Sequence, residues 1–171
     1  MWFWGHAAVG YLGYYAARRY WSRLPGGDVH DRTLAGLLLG TQLPDLIDKP
    51  LAWWLGVLPA GRSLLHSLVV VLPLAAVTVW AGRRVGRGSA ATGLVAGVLS
   101  HVLVDPLPQL AAGEFADLPY LAWPLLPAPP YDVGTGFSTH FRAIDLGPGT
   151  LFEVGLTVLA LGLAVHEHRR A

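Results

Sequence analysis

The chain alternates long apolar runs with short polar ends, and the spacing of those ends predicts its helices. Leu64 to Gly82 carries no formal charge apart from the titratable His66, and Gly88 to Val104 carries none apart from His101. A third apolar block runs from Leu151 to Val165 and is interrupted near its start by Glu153. Each block lies near the lower edge of the roughly 17 to 25 residues that cross a bilayer at about 1.5 Å per residue. The pattern predicts a helix over 2–20 that closes on Arg18 and Arg19, a turn at Pro25 to Gly27, and a shorter helix over 31–43 stopped by Pro44. Further helices are predicted over 63–82, 89–105 and 150–166. Trp53 and Trp54 follow Pro50 in a short apolar piece of the kind found at a membrane interface. Prolines crowd residues 106–130, which predicts a long irregular loop between the fourth and fifth helices. The expected fold class is therefore all-α: one membrane-embedded domain over 1–171, a bundle of about five helices.

Composition agrees with that pattern. Hydrophobic residues make up 53% of the chain and charged residues 13%, against about a quarter charged in soluble domains. Three such apolar blocks would leave a soluble fold little polar surface, so the lipid bilayer is the expected surrounding. The net charge is only +1, and the arginines sit at the ends of apolar blocks rather than in a basic stripe, so no nucleic acid is expected as a partner. With no cysteine there is neither a disulfide nor a thiolate zinc site, and any metal must be held by His, Asp and Glu. The opening Met1-Trp2-Phe3-Trp4-Gly5-His6 lacks the basic region of a secretory signal and reads as part of the mature protein.

Charge placement also predicts an orientation, because cytoplasmic flanks of spanning helices are enriched in Lys and Arg. If Arg18/Arg19, Arg83/Arg84/Arg87 and Arg169/Arg170 all face the cytoplasm, the five helices alternate without contradiction, with the N-terminus outside. That arrangement puts His6, Asp45, Asp48, His66, His101 and Asp105 on the non-cytoplasmic side, with His140 and Glu153. His30, His166 and His168 fall outside the group.

The local pattern with most chemical content is Ser100-His101-Val102-Leu103-Val104-Asp105-Pro106. An imidazole and a carboxylate at i and i+4 share a helix face and can hold one cation. A carboxylate in the last turn meets the negative end of the helix dipole, and Pro106 biases Asp105 out of the helical region. A bound metal removes that conflict. Ionisable residues inside a membrane are costly and usually paired or functional, and three histidines with up to three aspartates suit a divalent metal, Zn²⁺ foremost. Six candidate ligands exceed the four of a closed structural site, and Asp105 is a natural bridge between two ions. Arg62 lies four residues before His66, on one face if the helix extends that far, and could hold a phosphate or carboxylate. His140 and Glu153 are candidates to orient ligands from behind. The plainer reading makes His101 a satisfied core histidine, Asp45 and Asp48 turn caps, and the whole set dispersed in space.

Taken together, Gly5-His6, Gly40-Thr41-Gln42-Leu43-Pro44-Asp45-Leu46-Ile47-Asp48, Arg62-Ser63-Leu64-Leu65-His66-Ser67 and Ser100-His101-Val102-Leu103-Val104-Asp105 resemble a family of membrane-bound, inner-membrane-associated metal-dependent hydrolases. The likeness covers roughly residues 5–130, including Trp123-Pro124-Leu125. The family's third motif usually opens His-Arg-Gly, where this chain has Ala60-Gly61-Arg62-Ser63 and lacks that first histidine. The ligand order is also similar to that of secreted zinc-dependent phospholipases C. That likeness implies one zinc on Asp45 or Asp48, His66, His101 and Asp105, and a second on His6 with Asp105. The family label says little about substrate; the leading expectation is a metal-dependent hydrolase acting on a phosphoester or lipid-derived substrate at the outer leaflet, with metal-bound water attacking, an aspartate, Asp45, as general base and Arg62 stabilising charge. The alternative is a metal-binding membrane protein without catalysis, such as a transport component or scaffold, whose site would be closed by four protein ligands.

Overall fold

The computed structural model describes residues 1–20, 28–128, 142 and 145–169, with the backbone alone for 28–30. Helix α1 spans Phe3–Tyr20, α2 Asp28–Gly40, α3 Leu43–Trp53, α4 Leu68–Arg84, α5 Gly88–Val104 and α6 Leu107–Ala112. Two short 3₁₀ helices follow at Phe115–Asp117 and Pro119–Ala122, and α7 spans Pro148–His168. No strand occurs among the described residues, as the all-α expectation requires.

Two of the predicted boundaries move. Pro44 ends nothing: it falls in the first turn of α3, where its missing N–H has no intrahelical partner to lose. Pro50 lies inside that same helix and Trp53 closes it. The proline-rich stretch expected as an irregular loop contains α6 and both 3₁₀ turns, because proline fits a first helical turn as readily as a loop.

Three pairings set the architecture. Helices α2 and α5 run parallel and touch backbone to backbone. A Cβ added at Gly97 would lie 2.1 Å from the Leu37 carbonyl oxygen, and one at Gly40 would lie 2.1 Å from that of Leu94. Gly36 and Gly93 meet the facing helix in the same way, so each helix presents a Gly-xxx-Gly stripe to the other. Helices α4 and α5 form an antiparallel hairpin whose core is Val71, Val98 and Val102 with Leu65. Helix α1 lies parallel to α7 through Ala8, Tyr11 and Ala160. Glu153 accepts from the Trp2 backbone N–H at 2.9 Å at one end, and Tyr11 Oη donates to Glu167 Oε2 at 3.2 Å towards the other.

Apolar surface is left outside. Leu72, Val77 and Trp80 on α4 and Leu151, Phe152, Val158 and Leu161 on α7 are exposed, far more apolar surface than a soluble monomer usually shows. Two helical stretches are long and apolar enough to cross a membrane: Gly88–Ala112, 25 residues, and Pro148–His168, 21 residues. Apart from Thr33 in the first half of α2, the buried polar residues gather at the end of the bundle where α1, α4 and α7 begin and α2 and α5 finish.

Candidate metal centre

Most of the cluster is delivered by helix ends. His6 sits in the first turn of α1, Asp45 and Asp48 in α3, His101 in the last turn of α5, and Asp105 at its C-cap. His66 arrives from the segment before α4, whose N-cap is Ser67. The Ser67 hydroxyl accepts from the Val69 N–H at 3.2 Å and donates to the Trp123 carbonyl. The helix expected from residue 63 therefore starts later, and Arg62 and His66 share no helical face.

What shapes that segment is Asp48. Its carboxylate is fully buried and accepts from the backbone N–H groups of Ser63 at 3.1 Å, Leu65 at 3.0 Å and His66 at 3.3 Å. It also accepts from His66 Nδ1 at 2.8 Å. Asp48 was among the expected ligands, but both its oxygens are already taken and it stands behind the His66 ring. Asp45, one helical turn earlier, lies on the other side of that ring, with Oδ1 3.4 Å from His66 Nε2. The two aspartates of α3 thus grip one imidazole from opposite sides.

His101 is oriented in a similar way. Helix α2 ends at Gly40, and the Thr41 carbonyl accepts from His101 Nδ1 at 2.7 Å. Carbonyls at a helix end lack intrahelical partners, which makes Thr41 available. With both Nδ1 atoms committed as donors to oxygens, His66 Nε2 and His101 Nε2 face each other 3.2 Å apart. Two imidazole lone pairs at that distance need a cation between them, either a proton on one ring or a metal ion shared by both.

The remaining atoms close around the same point. Asp105 Oδ2 lies 3.7 Å from His66 Nε2 and 4.0 Å from His101 Nε2, and Asp45 Oδ1 lies 3.8 Å from His101 Nε2. The His6 ring stacks on His101 with centroids 3.7 Å apart, and its Nε2 is 3.2 Å from Asp105 Oδ1. Asp105 Oδ1 also faces the Met1 ammonium at 3.6 Å, so a cation already sits beside this carboxylate, while neither Asp105 Oδ1 nor His6 Nε2 has a hydrogen-bond partner. Two ligand triplets result, His6/Asp45/His101 and His66/His101/Asp105, each with ligand atoms within 4.8 Å of one another. An ion bonded tetrahedrally at about 2.1 Å has ligand-to-ligand edges of roughly 3.4 Å. The residues therefore fit a divalent metal after small movements.

Asp105 departs from expectation in one respect. Its backbone is helical, φ −57° and ψ −39°, and its N–H still bonds the His101 carbonyl at 3.0 Å despite the following Pro106. The unfavourable dipole end is offset by Arg62, whose Nε donates to Asp105 Oδ2 at 3.0 Å. Gln109, turned to satisfy both partners, donates to the Asp105 carbonyl at 3.0 Å and accepts from Arg62 Nη1 at 3.2 Å. On the other side Lys49 Nζ pairs with Asp45 Oδ2 at 2.7 Å. Burial alone would raise the Asp45 pKa, but the hydrogen bond from His66 and the Lys49 charge outweigh it and hold the carboxyl well below its usual range. Burial would likewise lower the His66 pKa, yet its hydrogen bonds to Asp45 and Asp48 raise it above that of an ordinary imidazole.

The structure thus brings together His6, Asp45, His66, His101, Asp105 and Arg62. Asp48 lies one contact behind, and Glu153 stands at the same end, holding the start of α1. His140 lies outside the described residues. Sequence reading missed Thr41, Lys49 and Gln109. Lys49 had a signal, since it stands at i+4 from Asp45 on a helix, whereas the Thr41 carbonyl and the Gln109 amide carried none.

An all-helical bundle with an apolar exterior and a buried polar cluster at one end defines an integral membrane protein of the helical class. The chain belongs to the YdjM inner membrane protein family, whose model matches residues 1–170. No curated protein and no solved structure matches the chain. Membership of that family carries the membrane location, and the likeness to metal-dependent hydrolases and to phospholipase C rests on the motifs alone.

Proposed function

We propose that the protein is a membrane-bound, metal-dependent hydrolase acting on a phosphoester, with zinc as its ion. The observation that carries this reading is the pair of Nε2 atoms of His66 and His101, 3.2 Å apart with both Nδ1 atoms already donating. Zinc on His6, Asp45, His66, His101 and Asp105 would supply Lewis-acid activation of water at neutral pH and charge for a phosphoryl oxygen. Asp45 is 20% exposed, against 0% for Asp48 and 3% for Asp105. That exposure supports Asp45 as the carboxylate nearest to incoming water and as the candidate proton acceptor, a role that requires its contacts with Lys49 and His66 to loosen when an ion binds. Arg62 and Lys49 border the cluster. Once the carboxylates are neutralised by an ion, their charges favour an anionic substrate, and the guanidinium can pair with phosphate oxygens.

The reading also puts the cluster on the non-cytoplasmic side, which is supported by Arg18, Arg83 and Arg84 at the far ends of helices α1 and α4. The second reading, a metal site without catalysis, draws on the near-complete burial of His6, His66, His101 and Asp105.

Metal analysis of purified protein, paired with a panel of chromogenic phosphomonoesters and diesters, tests both readings. The expected result is stoichiometric zinc and zinc-dependent turnover. In His101→Ala and Asp105→Ala the metal is lost and turnover falls about 100-fold or more, the scale of removing one transition-state stabilising group. Bound zinc with no turnover on any ester supports the non-catalytic reading. Unchanged metal content in both variants overturns the two together.

A further inference from the structure

Beside the polar cluster lies a cleft that the hydrolase reading does not use. It is a shallow, half-open groove between α4 and α5, with an enclosed volume of only about 50 Å³, roofed by the start of α3. Its walls are almost wholly apolar: Val71, Leu74 and Ala75 on α4 face Leu94, Val95 and Val98 on α5. Its roof is Leu43 and Leu65, and these are the link to the chemistry. Leu43 stands two residues before Asp45. Leu65 immediately precedes His66, and its N–H is held by Asp48. The same carboxylate that aims the imidazole therefore also places the wall of the cleft.

From that end the cleft descends along α4 from Val71 to Thr78, about two turns, or about 10 Å at the helical rise. Leu72 and Val77 beside it on α4 are exposed on the outside of the bundle. In a membrane protein such a surface is bathed in hydrocarbon, so what enters the cleft is a chain of lipid rather than water.

We infer that this cleft binds a hydrocarbon chain of the substrate, so that the phosphoester processed at the cluster is the head of a bilayer lipid. The inference rests on the hydrolase reading for the reacting head, and on the cleft and its continuity with His66 for the chain. Reaction of such a substrate needs only water as co-reactant: the P–O bond to the leaving alcohol breaks, a new P–O bond to the water oxygen forms, and one water proton passes by way of a base to the leaving alkoxide oxygen.

The test uses the full-length protein in detergent and hexadecyl phosphate carrying a diazirine in the lower half of its chain. Photolysis followed by peptide mass spectrometry maps where the chain lies, with no turnover required. Label is expected on residues 74–78 and 94–98, and it should fall about fivefold or more in Ala75→Phe or Thr78→Phe, a loss little larger than the burial of one methylene. In parallel, KM for alkyl phosphoesters of increasing length should drop about two- to fourfold per methylene in the wild type until the cleft is filled. Label spread evenly over the outer faces of α4 and α7, and unchanged in both variants, overturns the inference. The two readings separate cleanly. Label in the cleft without hydrolysis of any ester leaves the chain site standing and removes the hydrolase. Hydrolysis of short esters with no dependence on chain length and no label in the cleft does the reverse.

Discussion

Gly97→Leu is expected to force α2 away from α5 and dismantle the cluster at their ends. The atoms around a Cβ at this position are all backbone: the Leu37 oxygen at 2.1 Å, the Thr41 nitrogen at 2.7 Å and the Gly40 carbonyl carbon at 2.9 Å. A flexible side chain could swing aside, but a helix backbone moves only by displacing the helix. The cost should exceed the about 1–3 kcal/mol typical of overpacking a core, and even Gly97→Ala should destabilise. The effect reaches the site because Thr41, one residue past the end of α2, orients His101. Thermal unfolding in detergent and zinc content should therefore fall together. Gly155 on α7 is the internal control: a Cβ there meets nothing within 4 Å. Gly155→Ala should leave zinc binding unchanged and stability equal or raised by about 0.5–1 kcal/mol, the usual gain of alanine over glycine in a helix. Equal behaviour of the two sites would show that the close approach of α2 and α5 does not govern the centre.

Asp48→Ala should have the second large effect, on stability and on metal affinity at once. It strips a fully buried carboxylate from the backbone N–H groups of Ser63, Leu65 and His66 and from His66 Nδ1. Removing one partner of a buried charged network typically costs about 3–5 kcal/mol, because the other groups stay buried and unsatisfied. The His66 ring also loses the acceptor that fixes its tautomer, and loss of such an outer partner usually weakens metal binding about 10- to 100-fold. Asp48→Asn keeps the shape and one acceptor, so it should recover part of the stability and less of the metal affinity. A stable Asp48→Ala protein with wild-type zinc affinity would mean that Asp48 neither shapes the 63–66 segment nor orients the ring.

The helices were legible in sequence wherever an apolar run had charged ends: the predicted 2–20, 89–105 and 150–166 correspond to α1, α5 and α7 within a few residues. Reading failed around Pro44, Pro50 and residues 63–66. Proline excludes a helix interior but suits a first turn, so its presence alone cannot say whether a helix ends or begins there. The 63–66 segment looked helical because Leu64, Leu65, Leu68 and Val69 are apolar, and the feature that denies it a helix is a carboxylate in α3. Both Gly-xxx-Gly stripes stand in plain view at Gly36/Gly40 and Gly93/Gly97, but nothing in the chain says that they face each other. The candidate ligands could be picked out by residue type and by their position at helix ends. The division between Asp45, which faces Nε2, and Asp48, which holds Nδ1, could not.

Sequence by itself determined the class of this protein, since bilayer length and the cost of burying charge leave few options for apolar runs closed by arginines and histidines. It also picked out which end of each helix carries the candidate ligands, because a polar side chain in such a run is tolerated only near its terminus or beside a partner. Tertiary structure alone decided which of those ends meet and which atom of each residue looks inward. Those choices depend on backbone contacts at Gly97, on a free carbonyl at Thr41 and on the donors gathered by Asp48. Each joins residues far apart in the chain, and local periodicity carries no information about such pairs.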